Sequence, residues 1–103
     1  MDRIALLTQV LEQNPSDAFA RYGLAMAQLS DGDADAALGQ FDLLIQHNPD
    51  YVPAYQMSAQ TLAKLGRSSE AVERLRAGIA TASRSGNAHA ASEMQALLDD
   101  LNH

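Results

Sequence analysis

The sequence repeats itself at an interval of 34 residues, and this interval constrains the fold more than any other feature. Shifting the chain by 34 positions superposes apolar residues in three trios, which are Ile4/Leu38/Val72, Leu7/Phe41/Leu75 and Leu11/Ile45/Ile79. Within each copy the three residues are three or four positions apart, which places them on one face of an α-helix. An interval of this length is typical of solenoids, in which each unit buries its apolar face against the next unit.

Small residues and turn residues follow the same interval. The matches are Ala20/Ala54/Ala88, Ala25/Ala59, Gly32/Gly66, Ala37/Ala71 and the turn Asn14-Pro15 with Asn48-Pro49. Small side chains allow helices to approach closely, so we predict that the alanines at positions 25, 37, 59 and 71 are packing residues. Proline cannot continue a helix and biases the residue before it away from the helical region, so each proline turn predicts a helix end.

These signals together predict six helices and no strands. The predicted helices cover residues 2–13, 17–30, 34–47, 51–65, 68–83 and 87–101. Gly32 and Gly66 supply the turn inside each pair, while Ser16 or Asp17, Asp33, Asp50 and Ser68 are the predicted helix caps. We expect a single domain over residues 1–103, made of a half-repeat helix at 2–15, repeats at 18–51 and 52–85, and a terminal capping helix at 87–101.

The order of large and small residues inside each copy identifies a family. The first copy reads Arg21, Leu24, Ala25 and Gln28, followed by Ala37, Phe41 and Pro49; the second reads Tyr55, Ser58, Ala59 and Leu62, followed by Ala71, Leu75 and Ser83. This pattern resembles the tetratricopeptide repeat family. The resemblance implies an all-α, TPR-like α-α superhelix, a right-handed solenoid of antiparallel helix pairs. Arg21, Gln28, Ser58 and Ser83 depart from the family pattern and are expected to loosen individual contacts.

The resemblance also implies where a partner binds, because in this family the first helix of each pair lines the concave side. The residues at these positions are Phe19, Tyr22, Met26, Leu29 and Ser30 in the first pair, Gln56, Met57, Gln60, Ala63 and Lys64 in the second, and His89, Ala90 and Met94 in the last helix. Methionine adapts its shape and aromatic side chains are efficient anchors, so this surface favours binding of a protein or peptide. The alternatives are that the stripe is part of the core, or that the terminal helices cover it.

Charge narrows the class of partner. The formal net charge is −6, with eight acidic and two basic residues in positions 1–50 and five of each in positions 51–103. This balance disfavours nucleic acid, whose affinity for proteins comes from neutralised phosphates. The family positions that clamp acidic peptide tails are Tyr22, Met26, Met57, Asn87 and Ala91, and none of them is cationic. We therefore do not expect an acidic tail as the ligand.

No motif indicates catalysis, a metal or a cofactor. The run from Asp31 to Asp35 imitates the start of a calcium loop, but Ala36 occupies the position of the required glycine, so a turn and helix cap explain it better. His47, His89 and His103 lack ligand spacing. We predict a non-enzymatic protein without cofactors.

Compartment and source follow from composition. No apolar run is long enough to span a membrane, the first residues lack the pattern of a signal peptide, and cysteine is absent, so a cytoplasmic location is expected. Six arginines against one lysine, with abundant alanine, favour a bacterial source.

A second hypothesis is a structural protein that associates with itself. The acidic first half and the basic helix at 68–83 could meet head to tail, or an apolar end helix could pair across a two-fold axis. Such a homo-oligomer would be a scaffold rather than a receptor for a partner.

Overall fold

The computed structural model describes residues 2–102, and this part of the chain contains six α-helices and no strand. They are α1 (Arg3–Gln13), α2 (Ala18–Ser30), α3 (Ala34–His47), α4 (Val52–Lys64), α5 (Ser68–Arg84) and α6 (Ala88–Leu101). Each predicted helix end lies within one residue of the observed end. The proline and glycine signals therefore located the helices correctly.

The helices form two compact units, which are described separately. The N-terminal unit extends to Asn48 and contains α1, α2 and α3; the C-terminal unit starts at Pro49 and contains α4, α5 and α6. In the N-terminal unit α2 packs against both of its neighbours, and in the C-terminal unit α5 does so while α4 also contacts α6. The predicted single domain over 1–103, whose two end residues lie outside the described part, stays a prediction, as do its repeat boundaries.

The predicted apolar trios face inward. In the N-terminal unit, Leu11, Ala20 and Leu24 form a cluster with the partly buried Ile4 and Leu7. None of the nine trio residues is exposed, as the 34-residue interval predicted. The alanines at positions 25, 37, 59 and 71 have no exposed surface, which confirms that they are packing residues.

The helix ends show where local prediction succeeded and where it failed. Asp17 and Asp33 cap α2 and α3, since their carboxylates accept hydrogen bonds from backbone N–H groups in the first turn. Gly32 and Gly66 have φ of +81° and +77°, which only glycine adopts without strain. The predicted caps Asp50 and Ser68 were wrong: the cap positions are Tyr51 and Arg67, and neither makes a side-chain cap bond.

The interval changes from 34 to 36 residues before the last helix. The turn at Pro49 follows α3, which has 14 residues, whereas Ser83 stands in the place of a closing proline and α5 continues to 17 residues. As a result Ala88, the third member of its trio, is exposed, and Ala90 is buried instead. The missing proline explains the shift, because nothing else in α5 stops the helix at position 83.

Candidate functional site

One side of α2 carries a row of apolar residues that we name the α2 stripe, made of Phe19, Tyr22, Met26 and Leu29. Spacings of three and four residues place them on one side of the helix. The stripe exists because α2 uses its other sides for packing. Helix α2 buries Ala20 and Leu24 in the cluster with α1, and the same helix packs against α3.

Exposure varies strongly along the α2 stripe. Phe19 is 82% exposed, while Tyr22, Met26 and Leu29 are half-buried. The Tyr22 ring packs at a tilt against Phe41 of α3, with 6.2 Å between the ring centroids, so its position is held by the core. The stripe therefore combines one aromatic side chain that is almost fully exposed with three half-buried side chains.

The corresponding residues of α4 form a more polar surface, the α4 stripe, made of Gln56, Met57, Gln60 and Lys64. The first three are half-buried and Lys64 is exposed. The Gln56 side-chain amide donates a hydrogen bond to Glu93 Oε1 of α6 at 3.1 Å, and His89 Nε2 lies 3.5 Å from the same oxygen. Glu93 thus borders the α4 stripe, and the sequence reasoning missed it although the i, i+4 spacing from His89 was a usable signal.

Met94 does not belong to an exposed surface. It is 1% exposed, and it lies next to Gly78 of α5, where a Cβ atom would come within 2.6 Å of its sulfur. Its prediction as a surface residue was wrong because α5 covers that side of α6. Among the neighbouring positions, Ser30 and His89 are exposed, Ala63 is half-buried and Ala90 is buried.

The electrostatics of the N-terminal unit are acidic. Up to Asn48 it holds seven carboxylates and two guanidinium groups, a net charge of −5. The Arg21 guanidinium is already engaged, donating to Gln40 Oε1 at 2.7 Å and to the Pro15 carbonyl at 2.8 Å. Asn87, the one polar residue at the family's clamp positions, accepts a hydrogen bond from the Ala90 N–H and caps α6. None of the family's clamp positions carries a cationic side chain.

Within residues 2–102, no cluster of three or more His, Cys, Asp or Glu side chains could hold a metal ion. His103 lies outside the described residues. No helix in the described part is both long enough and apolar enough to cross a membrane.

The fold and the residue pattern together define an α-helical hairpin repeat protein. Residues 4–50 and 28–98 match the family model of the tetratricopeptide repeat. The chain belongs to the tetratricopeptide repeat family.

Solved structures agree with this assignment. A tetratricopeptide repeat domain protein from Salinibacter ruber is 32% identical over 85% of this chain and 89% of its own, with a TM-score of 0.80. The TPR2B domain of yeast Sti1 in its pHsp70 complex has a TM-score of 0.88 at 21% identity, covering 96% of this chain and 79% of that one. PcrH in complex with the chaperone binding region of PopD has a TM-score of 0.89 at 17% identity, covering 96% and 75%. The last two likenesses show the fold alone.

The search among curated proteins found no significant match.

Proposed function

We propose that this chain is a non-catalytic protein-interaction module that binds a peptide or protein through the first helix of each pair. The α2 stripe and the α4 stripe correspond to the concave-face positions that the family resemblance implies. The observation that carries the proposal is Phe19, a large aromatic side chain that is 82% exposed on a well-packed helix.

The physical argument rests on what Phe19 gains from a partner. Burying a phenylalanine side chain contributes about 1.5–3 kcal/mol, and α2 already holds the backbone of Phe19 in place, so little entropy is lost on binding. Met26 lies two turns further along α2 and can adjust its shape to the ligand. Phe19 and Met26 together favour an apolar segment of the partner as the ligand.

Structural neighbours support an interaction role. The yeast Sti1 domain is in a pHsp70 complex and PcrH is in complex with a region of PopD. Their folds resemble this one, but their identities of 21% and 17% leave the partner of this chain open. We infer its chemistry from this chain's own residues.

The charges favour an apolar partner segment with basic rather than acidic flanks. The N-terminal unit has a net charge of −5, and the family's clamp positions offer no cation to hold an acidic tail. Basic flanks would gain from the acidic field, mostly in the rate of association and in specificity.

A paired capture experiment tests the α2 stripe. The protein and its Phe19→Ser/Met26→Ser variant are immobilised and exposed to extract from the source cell, and bound proteins are quantified by mass spectrometry. We expect a set of partners that the variant loses at least tenfold. A Leu43→Ser variant is the matched control, because Leu43 is a 39% exposed leucine on α3, outside both stripes. Equal capture by all three proteins would contradict the assignment of the α2 stripe.

The alternative function is a self-associating scaffold, as the second sequence hypothesis stated. Exposed aliphatic residues on α1, Leu6 and Val10, are the observation in its favour. Light scattering at low and high salt separates the two functions: a salt-sensitive oligomer supports the scaffold, and a monomer at every concentration removes it. The cytoplasmic location and bacterial source remain predictions.

A further inference from the structure

The first helix exposes apolar residues on a face that later copies of the repeat bury. Leu6 is 54% exposed and Val10 is 37% exposed, and they lie one helical turn apart. Arg3 is exposed beside them and Leu7 is half-buried. We name these four residues the α1 face.

The repeat shows what covers this face elsewhere. Positions 3, 7 and 10 correspond to Ala37, Phe41 and Leu44 in α3, which are fully buried, and α3 packs against α2. They correspond in α5 to Ala71, Leu75 and Gly78, which are also buried, and α5 packs against α4. Helix α2 covers the face of α3, while α4 and α6 both cover Gly78 of α5, so a first helix that precedes the covered helix takes part in both cases. Within residues 2–102, α1 has no helix in that role, since its one neighbour in the N-terminal unit is α2.

The α1 face is more apolar than the water-exposed side of a terminal solenoid helix is expected to be. Leu6 stands where the later copies have Gln40 and Arg74, so the half-repeat is apolar at a position that is polar in the complete repeats. The last helix, α6, differs in that its exposed side is mostly polar. Six of its eight exposed residues are polar or charged, namely His89, Ser92, Glu93, Gln95, Asp99 and Asp100, and the other two are Ala88 and Ala96.

We propose that the α1 face is a second docking surface, which binds an amphipathic helix with basic flanks from a partner protein. The bound helix takes the place on α1 that α2 takes on α3. It puts a large apolar or aromatic side chain over Leu7, as Tyr22 packs against Phe41, and an apolar residue between Leu6 and Val10.

Charge decides between a basic helix and a second copy of this chain. An open cleft of about 380 Å³ lies next to the start of α1, and its charged lining residues are Asp2, Arg3 and Asp31. Two carboxylates against one guanidinium favour a lysine or arginine of the ligand there. A second copy would instead bring together two N-terminal units with a net charge of −5 each. Two partly exposed aliphatic residues also offer only a fraction of the roughly 800 Å² per partner that a stable dimer buries.

Two synthetic peptides test the proposal. Both keep the apolar face of α4 (residues 52–64), which is a first helix of this protein, and carry either lysine or glutamate at the exposed positions 53 and 64, one near each end of the helix. Binding is measured by fluorescence anisotropy at low and high salt. We expect the lysine peptide to bind at least tenfold more tightly than the glutamate peptide, with the difference shrinking as salt rises.

Variants of the protein place the site. Leu6→Gln/Val10→Gln should weaken binding of the lysine peptide at least tenfold, while the control Leu43→Gln/Leu65→Gln, which alters two leucines of similar exposure, leaves it unchanged. Phe19→Ser should also leave it unchanged, so failure of the α2 stripe and failure of the α1 face are separate results. The proposal is overturned if neither peptide binds, if the Leu6/Val10 variant binds normally, or if light scattering detects a dimer that this variant abolishes.

Discussion

Tyr55 donates a hydrogen bond from its hydroxyl group to the carbonyl oxygen of Pro49 at 2.6 Å, which ties the first helix of the second pair to the turn before it. The counterpart 34 residues earlier is Arg21, whose guanidinium donates to the Pro15 carbonyl at 2.8 Å. Arg21 departs from the family pattern and was expected to loosen a contact. It instead keeps the same tie with a different donor.

Removing the Tyr55 hydroxyl should weaken this tie without disturbing the ring. We expect Tyr55→Phe to lower the free energy of unfolding by about 1 kcal/mol, the usual net contribution of one hydrogen bond. Urea denaturation followed by circular dichroism measures it. Tyr55→Leu should cost more, because it also removes part of a buried ring, and equal stability of Tyr55→Phe and the parent would show that the bond contributes nothing.

Gly78 of α5 lies closely against Met94 of α6 and Tyr55 of α4. A Cβ atom there would lie 2.6 Å from Met94 Sδ and 2.7 Å from Tyr55 Cβ, so Gly78→Ala should destabilise the protein by about 1–3 kcal/mol through overpacking. Gly39, inside α3, is the matched control, since nothing lies within 4 Å of its Cβ position. Gly39→Ala should stabilise by about 0.5–1 kcal/mol because alanine favours the helix. Thermal and urea unfolding measure the stability of both variants. Stabilisation by both substitutions would contradict the close packing around Gly78.

The start of α5 lacks a side-chain cap and can be improved. Arg67→Ser would place a serine three residues before Glu70, which creates a capping box. We expect a gain of about 0.5–1 kcal/mol in unfolding free energy, because the ion pair lost between Arg67 and Glu70 is solvent-exposed and contributes little. Asp33→Ala, at the equivalent position before α3, should lose about 1 kcal/mol. A loss of stability in Arg67→Ser would show that the ion pair outweighs the cap.

Phe41 should be the most sensitive core position of the N-terminal unit. It has no exposed surface and contacts the Tyr22 ring, so Phe41→Ala should cost about 3–5 kcal/mol. That is a large part of the 5–15 kcal/mol that stabilises a typical domain. Leu43→Ala, two positions away and 39% exposed, should cost less than about 1 kcal/mol. Similar unfolding midpoints for the two variants would contradict the packing described for α3.

Local signals explain what could be predicted. Helix ends were found within one residue because proline, glycine and the spacing of apolar residues act on the nearest turn of chain. The 34-residue alignment failed in one place: without a proline at position 83 the last interval is 36 residues, and the buried alanine is Ala90 rather than Ala88. The cap at Asp50 failed because α4 starts one residue later than predicted, and the cap at Ser68 failed because Ser68 is itself the first residue of α5. In both cases the cap position falls on a residue without a suitable side chain.

The candidate surface was harder to predict, because a helix periodicity states which residues share a side but not whether another helix covers that side. Phe19 and Met94 were both predicted to lie on the partner-binding surface, yet Phe19 is almost fully exposed and Met94 is buried against Gly78. The sequence likewise did not predict that apolar residues of α1 are exposed, because Leu6 and Val10 fit the pattern of a regular apolar helix.

By itself, the order of residues determined six helices, their ends and a repeating apolar seam, because these depend on interactions within a few residues. Only the tertiary structure decided which apolar side chains remain in water. Burial depends on which helices pack together, and that is a property of the folded chain rather than of any single segment.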